Sequence, residues 1–199
     1  DQGAMVGLAR NMMEREEYSD ALEMLDKCQK YDADYAEIYR FKMQAYEKMG
    51  EIDKAIDEAV MYLDKDDNPS IGIVQDAVKK HLSYGIAKVS QKVTNDKDQK
   101  SFWMFVRARF YEWQHNYPKA IEQYDRLETD YGYDARISFN RAECYSELGL
   151  SQKAADEITR IMEREDDEDA YLFLQRADYY RLAGDYTKAI DDFDKVIEL

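Results

Sequence analysis

Apolar and polar positions along the chain follow the spacing of helices. Apolar side chains return at intervals of three and four residues, which gathers each set on one helix face. One phrase recurs in different wordings: EREEYSDALEML, MGEIDKAIDEA, QHNYPKAIEQY and GDYTKAIDDF. Each opens as a turn and continues with helical spacing. The alanines that anchor the phrase and its nearest variant are Ala21, Ala55, Ala120, Ala154 and Ala189, which lie 34, 65, 34 and 35 residues apart. The interval of 65 reads as units of 34 and 31, so the pattern predicts six units of about 34 residues.

Residue types hold register around these anchors. Twelve positions before them stand Ala9, Met43, Ala108, Ala142 and Ala177, and nine before stand Met12, Tyr46, Tyr111, Tyr145 and Tyr180. Seven positions after them stand Cys28, Tyr62, Leu127, Ile161 and Val196. Each unit therefore predicts two helices joined by a tight turn. Gly50, Gly149 and Gly184 stand where the first helix stops, the place for a left-handed residue. The small residues let two helices approach closely, and the aromatic ones fill the flanks. A single hairpin cannot bury its apolar face alone, so the units must stack.

The units resemble tetratricopeptide repeats. Residues 170–199 match best, with Ala177, Tyr180, Gly184, Tyr186, Ala189, Phe193 and Val196 as the signature types. The resemblance extends over essentially the whole chain. It implies an all-α, right-handed superhelical solenoid of about six helix-turn-helix repeats in a single domain, 1–199. Its units are about 2–35, 36–69, 70–100, 101–134, 135–169 and 170–199, and the first helices line a concave groove.

Departures from the repeat carry their own expectations. The residue thirteen before the anchor is basic in four units: Lys42, Arg107, Arg141 and Arg176. Such stems can lie along apolar surface while the charge reaches water or a neighbouring carboxylate. The third unit has Ala77 in register but Val89 in the anchor's place, and it runs three residues short. Asn68-Pro69 predicts its helix start, and Ser83-Tyr84-Gly85 its inter-helix turn. It is either a worn repeat with a shorter second helix, or a functional bend or basic contact patch. The last helix would present Ile190, Phe193, Val196 and Ile197 with nothing packed beyond. Further repeats, another chain or self-association would cover that face.

Carried over residue by residue, the resemblance puts Arg10, Arg40, Gln44, Val74, Phe105, Arg109, Arg136, Phe139, Tyr171 and Asp178 in the groove, with Val6, Val78 and Leu174 on the same stripe. Asn140 matches one place of the five-residue clamp with which some family members grip a C-terminal carboxylate. Phe105, Arg109, Tyr171 and Gln175 occupy the other four places, which speaks against that ligand. Arginine suits carboxylates and aromatic residues anchor interfaces. The expected partner is thus a protein or peptide segment with acidic and apolar residues. Alternatively, the arginines pair with neighbouring carboxylates and the phenylalanines pack between units.

Composition narrows the function classes. Hydrophobic residues make up 45% of the chain and charged residues 36%, the mix of a soluble folded protein. The net charge of −15 argues against nucleic-acid binding, which needs clustered cations. Only residues 70–100 run basic, with six Lys against three Asp. No apolar run suits membrane insertion. The chain opens at Asp1 rather than Met, which reads as a fragment or processed form. No compartment is assigned, with the cytoplasm the default.

No metal or cofactor is expected. The only histidines, His81 and His115, and the cysteines, Cys28 and Cys144, show no ligand spacing. The cysteines read as small buried residues. The acidic run Glu163–Asp169 reads as a solvated turn or a weak cation site. The expectation is a non-enzymatic interaction scaffold. The alternatives are a structural or oligomerising spacer, or the repeat region of a larger enzyme.

Overall fold

The computed structural model describes residues 2–165 and 169–199. Among the described residues the regular structure is twelve α-helices and one 3₁₀ turn. In chain order the helices are α1 (Gln2–Glu14), α2 (Tyr18–Tyr31), α3 (Ala36–Met49), α4 (Ile52–Lys65), α5 (Gln75–Lys79) and α6 (Leu82–Asn95). They continue with α7 (Lys100–Trp113), α8 (Tyr117–Tyr131), α9 (Ala135–Glu147), α10 (Ser151–Glu165), α11 (Ala170–Ala183) and α12 (Tyr186–Glu198). The 3₁₀ turn, Ile71–Val74, leads into α5. Two compact units divide between Lys100 and Ser101. Within the first, α2 packs on α3, and α4 on α5 and α6; within the second, α8 packs on α9 and α10 on α11. Helical hairpins therefore stack in chain order inside each unit, as in a solenoid.

Five hairpins share one turn. The residue five before the anchor has positive φ every time: Glu16 (62°), Gly50 (78°), His115 (58°), Gly149 (72°) and Gly184 (83°). The next amide reaches back five residues. Glu17 donates to the Met12 carbonyl (2.9 Å), Glu51 to Tyr46 (2.9 Å), Asn116 to Tyr111 (2.9 Å), Leu150 to Tyr145 (2.8 Å) and Asp185 to Tyr180 (2.9 Å). This is the Schellman closure, which satisfies carbonyls orphaned at a helix end. Each anchor alanine then donates its amide to the residue four before it, opening the second helix.

The hairpin α5–α6 differs from expectation in four ways. Its turn lies at Lys80–His81, and Ser83-Tyr84-Gly85 is inside α6. Its shortened element is the first helix, reduced to a 3₁₀ turn plus the 5-residue α5, whereas α6 has 14 residues like its counterparts. Asn68-Pro69 precede that first helix rather than start it. Its anchor is also Gly85, not Val89. Gly85 donates its amide to the His81 carbonyl (3.2 Å), as Ala55 does to Glu51 (3.0 Å), and both are buried. Packing there asks only for close approach, which glycine meets at some cost in helix propensity.

Three lysines and the histidine of this hairpin are engaged by acids of the preceding one. Lys80 pairs with Glu47 (2.6 Å), His81 with Asp53 (2.6 Å), Lys88 with Asp57 (2.7 Å) and Lys92 with Asp64. The local excess of lysine thus offsets the acidic face of α4.

The cores form as the register requires. Ala9, Ala21, Leu25, Cys28, Ile38 and Phe41 cluster in the first unit. Ala142, Ala154, Ile158, Ile161, Leu172, Tyr180 and Ala189 cluster in the second, with Phe193 packed against them. Both cysteines are buried thiols. The basic residues thirteen before the anchors turn inward to polar partners. Lys42 pairs with Asp26 (2.5 Å), and Arg107 donates through Nε to Gln123 (3.1 Å). Arg141 meets Asp125 (2.7 Å), Glu128 (3.0 Å) and Glu157 (2.7 Å), and Arg176 meets Asp192 (2.7 Å). In the second unit the partner three residues after the anchor is always polar: Gln123, Glu157 or Asp192.

Candidate functional site

In the second unit the first helices of the hairpins, α7, α9 and α11, carry Phe105 and Arg109, Phe139 and Asn140, and Tyr171 and Asp178 respectively. The structure brings most of these together. Phe139 and Tyr171 stack with ring centroids 5.9 Å apart and planes 12° off parallel. Phe139 is half-buried against the core, whereas Tyr171 is 53% exposed and Leu174, one turn on, is also exposed. Phe105 leans on Tyr124 (5.8 Å), and the Arg136 guanidinium lies 5.9 Å from the Phe105 ring. Asp178 stands apart from this cluster, paired with Arg181 at 3.1 Å.

The arginines are all paired within the chain. Arg136 donates through Nη2 to Asp134 at 2.7 Å, and its guanidinium holds that carboxyl below the usual range. Asp134 also caps α9 by accepting the Arg136 amide (2.8 Å). Arg109 donates to Asn140 Oδ1 and pairs with Glu112 at 2.7 Å. Asn140 in turn donates to the Arg136 carbonyl (2.6 Å). In the first unit Arg10 pairs with Glu14 (3.5 Å). Arg40 pairs with Glu37 (Nε, 3.0 Å) and covers the Phe41 ring at 5.0 Å. Gln44 is half-buried. Of the two sequence readings for the arginines, pairing with neighbouring carboxylates is the one the structure contains.

Val74 departs from its groove assignment. It is fully buried, as are its stripe neighbours Val78 and, nearly so, Val6. The shortened first helix turns Val74 and Val78 into the core, and Val6 packs in the core of the first unit. Helical spacing alone cannot tell a groove face from a core face when both are apolar.

Sequence reasoning missed a polar cluster beneath Arg109. Glu112 accepts from the Tyr124 hydroxyl and from the Cys144 thiol (3.7 Å). Burial pushes the Glu112 carboxyl up to about 7, against the pull of Arg109 and the Tyr124 hydroxyl. Burial also raises the Cys144 thiol, with Glu112 adding to the rise, so Cys144 is no reactive nucleophile. A glutamate eight residues before an anchor carries no sequence mark of burial. Among the described residues no group of three or more His, Cys, Asp or Glu could hold a metal ion. Of the acidic run, Glu163–Glu165 end α10 and Asp169 caps α11, while residues 166–168 lie outside the described residues.

Comparison with known proteins gives the same architecture. Family models described as tetratricopeptide repeat match residues 111–170 and 170–199. Among solved structures, the C-terminal part of a TPR repeat-containing protein from Cytophaga hutchinsonii superposes with a TM-score of 0.58 at 17% identity. That match covers 97% of this chain and 78% of the other. PilW, a type IV pilus biogenesis factor, gives a TM-score of 0.58 at 13% identity, covering 96% and 90%. A tetratricopeptide repeat protein from Parabacteroides merdae gives 0.52 at 15% identity, covering 99% and 78%. No curated protein matches the chain. Five turns of one geometry, set at the repeat's own spacing, agree with the matched segments, and the chain carries tetratricopeptide repeats over residues 111–199.

Proposed function

We propose that the chain is a non-enzymatic protein-interaction scaffold, and that the face formed by α7, α9 and α11 in its second unit receives a segment of a partner. The observation that carries this reading is the Phe139–Tyr171 stack with Leu174 beside it, an exposed aromatic and aliphatic strip on a strongly acidic protein. Aromatic residues are enriched among the anchors of interfaces because they bury large area at low entropic cost. The tetratricopeptide fold is typically an interaction module, which supports the same reading. Because Arg10, Arg40, Arg109 and Arg136 are each paired, apolar anchoring supplies most of the affinity, and acidic residues of the partner act locally. The corresponding face of the first unit carries Arg10, Arg40 and Gln44.

The test is selection of peptides from a random display library on the folded chain, repeated with Tyr171→Ala and Leu174→Asp. Enriched peptides should be rich in aromatic and aliphatic residues, and both variants should lose them while keeping the native circular dichroism. Peptides retained by both variants would rule out this face.

A second reading is favoured by α12, whose Ile190 (58% exposed) and Ile197 (83% exposed) form an uncovered apolar surface. On that reading the chain also self-associates or docks a neighbour through its last helix.

A further inference from the structure

A cavity of 270 Å³ opens in the second unit where α7, the end of α8 and the start of α9 meet. Its lining grades from buried to exposed. Leu127 and Ile137 are buried, Phe102 and Phe105 are half-buried, and Tyr131 and Arg136 are exposed. Gly132, between Tyr131 and the α9 cap, has φ 92° and ψ −178°, a conformation essentially confined to glycine. The turn that closes this side of the cavity therefore depends on glycine at this position. An engineered apolar cavity of roughly 150 Å³ takes up benzene. The present one has room for a larger aromatic ring.

The cation at the mouth is only partly used. Arg136 gives Nε and Nη2 to Asp134, at 3.1 Å and 2.7 Å. Among the described residues no bond engages its Nη1, and its side chain is 80% exposed. A guanidinium has five donors in a rigid fork, so its outer edge can take a second carboxylate. Its face already lies near Phe105, which fixes that edge relative to the aromatic wall.

We propose that this cavity seats one aromatic side chain of a partner segment, and that Arg136 Nη1 binds a carboxylate adjacent to it in that segment. The proposal rests on the groove reading above, since Phe105 and Arg136 belong to the same face. It adds what that reading lacks, a place where an acidic protein gains from an acidic neighbour. The net charge of −15 repels anions at a distance, but screening confines that repulsion to about 10 Å at ordinary salt. Within that distance Asp134 is itself paired with Arg136.

The experiment uses two probes on the whole ¹⁵N-labelled chain, N-acetyl-tryptophan with its free carboxylate and N-acetyl-tryptophan amide. Both should shift amides in 101–105 and 131–137. The carboxylate probe should bind about fivefold more tightly, as one exposed charge contact allows. Arg136→Gln should make the two probes equal in affinity. Absence of shifts in these segments, or shifts spread over both units, would overturn the proposal, as would equal binding of the two probes to the native chain. Silent probes with library peptides still dependent on Tyr171 and Leu174 would remove the cavity proposal and leave the groove reading standing. Failure of both experiments would remove both.

Discussion

Glu16 and His115 occupy a backbone conformation that glycine fills in the sister turns, with φ of 62° and 58°. The left-handed region costs an L-residue roughly 1–2 kcal/mol, and glycine's extra freedom in the unfolded chain offsets about 0.5–1 kcal/mol of any relief. Glu16→Gly should therefore stabilise the chain by about 0.5 kcal/mol, read as a higher urea midpoint. His115→Gly is the less clean variant, because it also removes the ring's contact with the Tyr117 hydroxyl (2.8 Å). A lower midpoint for Glu16→Gly would mean that the glutamate side chain, not the backbone, holds that turn.

Glu112 makes a second prediction at this scale. Its carboxyl is raised from 4.5 to about 7 in the folded chain, so the folded state holds this proton more tightly than the unfolded one. The associated stability is fully present below pH 4.5 and is lost as pH rises through about 7. The whole effect is on the order of 3 kcal/mol. Glu112→Gln should flatten that part of the pH profile of the urea midpoint. A variant whose profile keeps the native slope across this window would assign the slope to other groups.

At the scale of the element, the arginine at the start of each polar seam in the second unit is a packing residue with a charge. Arg141 is the clearest case, buried and joined to Asp125, Glu128 and Glu157 from the helices on either side of α9. Removing one partner of a buried ionic network strands the others, at a cost of about 3–5 kcal/mol. Arg141→Ala should show a loss of that size by denaturation. Arg141→Lys should recover only part of it, because an ammonium cannot address three carboxylates with a planar fork. If Arg141→Ala unfolds at the native midpoint, the network is idle.

The basic position before the anchor was visible in the sequence, and so was the choice between water and a neighbouring carboxylate. Which it met depended on how closely successive hairpins stack. The hairpin α5–α6 shows the same limit. Its short length was legible, but whether the first or the second helix had shrunk was not. A four-residue slip leaves apolar residues on the same helix face, so Val89 and Gly85 are equally acceptable to a periodicity.

At the scale of the molecule, the terminal helix poses the open physical question. Ile190 and Ile197 face outward on α12, and contiguous apolar surface of this kind marks an interaction site or an association hazard. Light scattering over a concentration series should show association of the native chain, and Ile190→Asp with Ile197→Asp should abolish it. A strict monomer at every concentration would dispose of the second functional reading and leave the groove as the candidate.

Much of this protein was written in the order of its residues. The helical period, the anchor alanines and the glycines at turn positions specified hairpins that must stack, because each exposes an apolar face that only a neighbour can cover. Those are local and nearest-neighbour properties, and a linear pattern records them. The candidate site was another matter. The proposed groove residues share a register, but their chemistry came from contacts within and between hairpins. Asp134 and Glu112 took up the arginines, Val74 went into the core, and a cavity opened beside Gly132 at a junction of three helices. Such features depend on distances between residues far apart in the chain, which packing sets and periodicity does not encode.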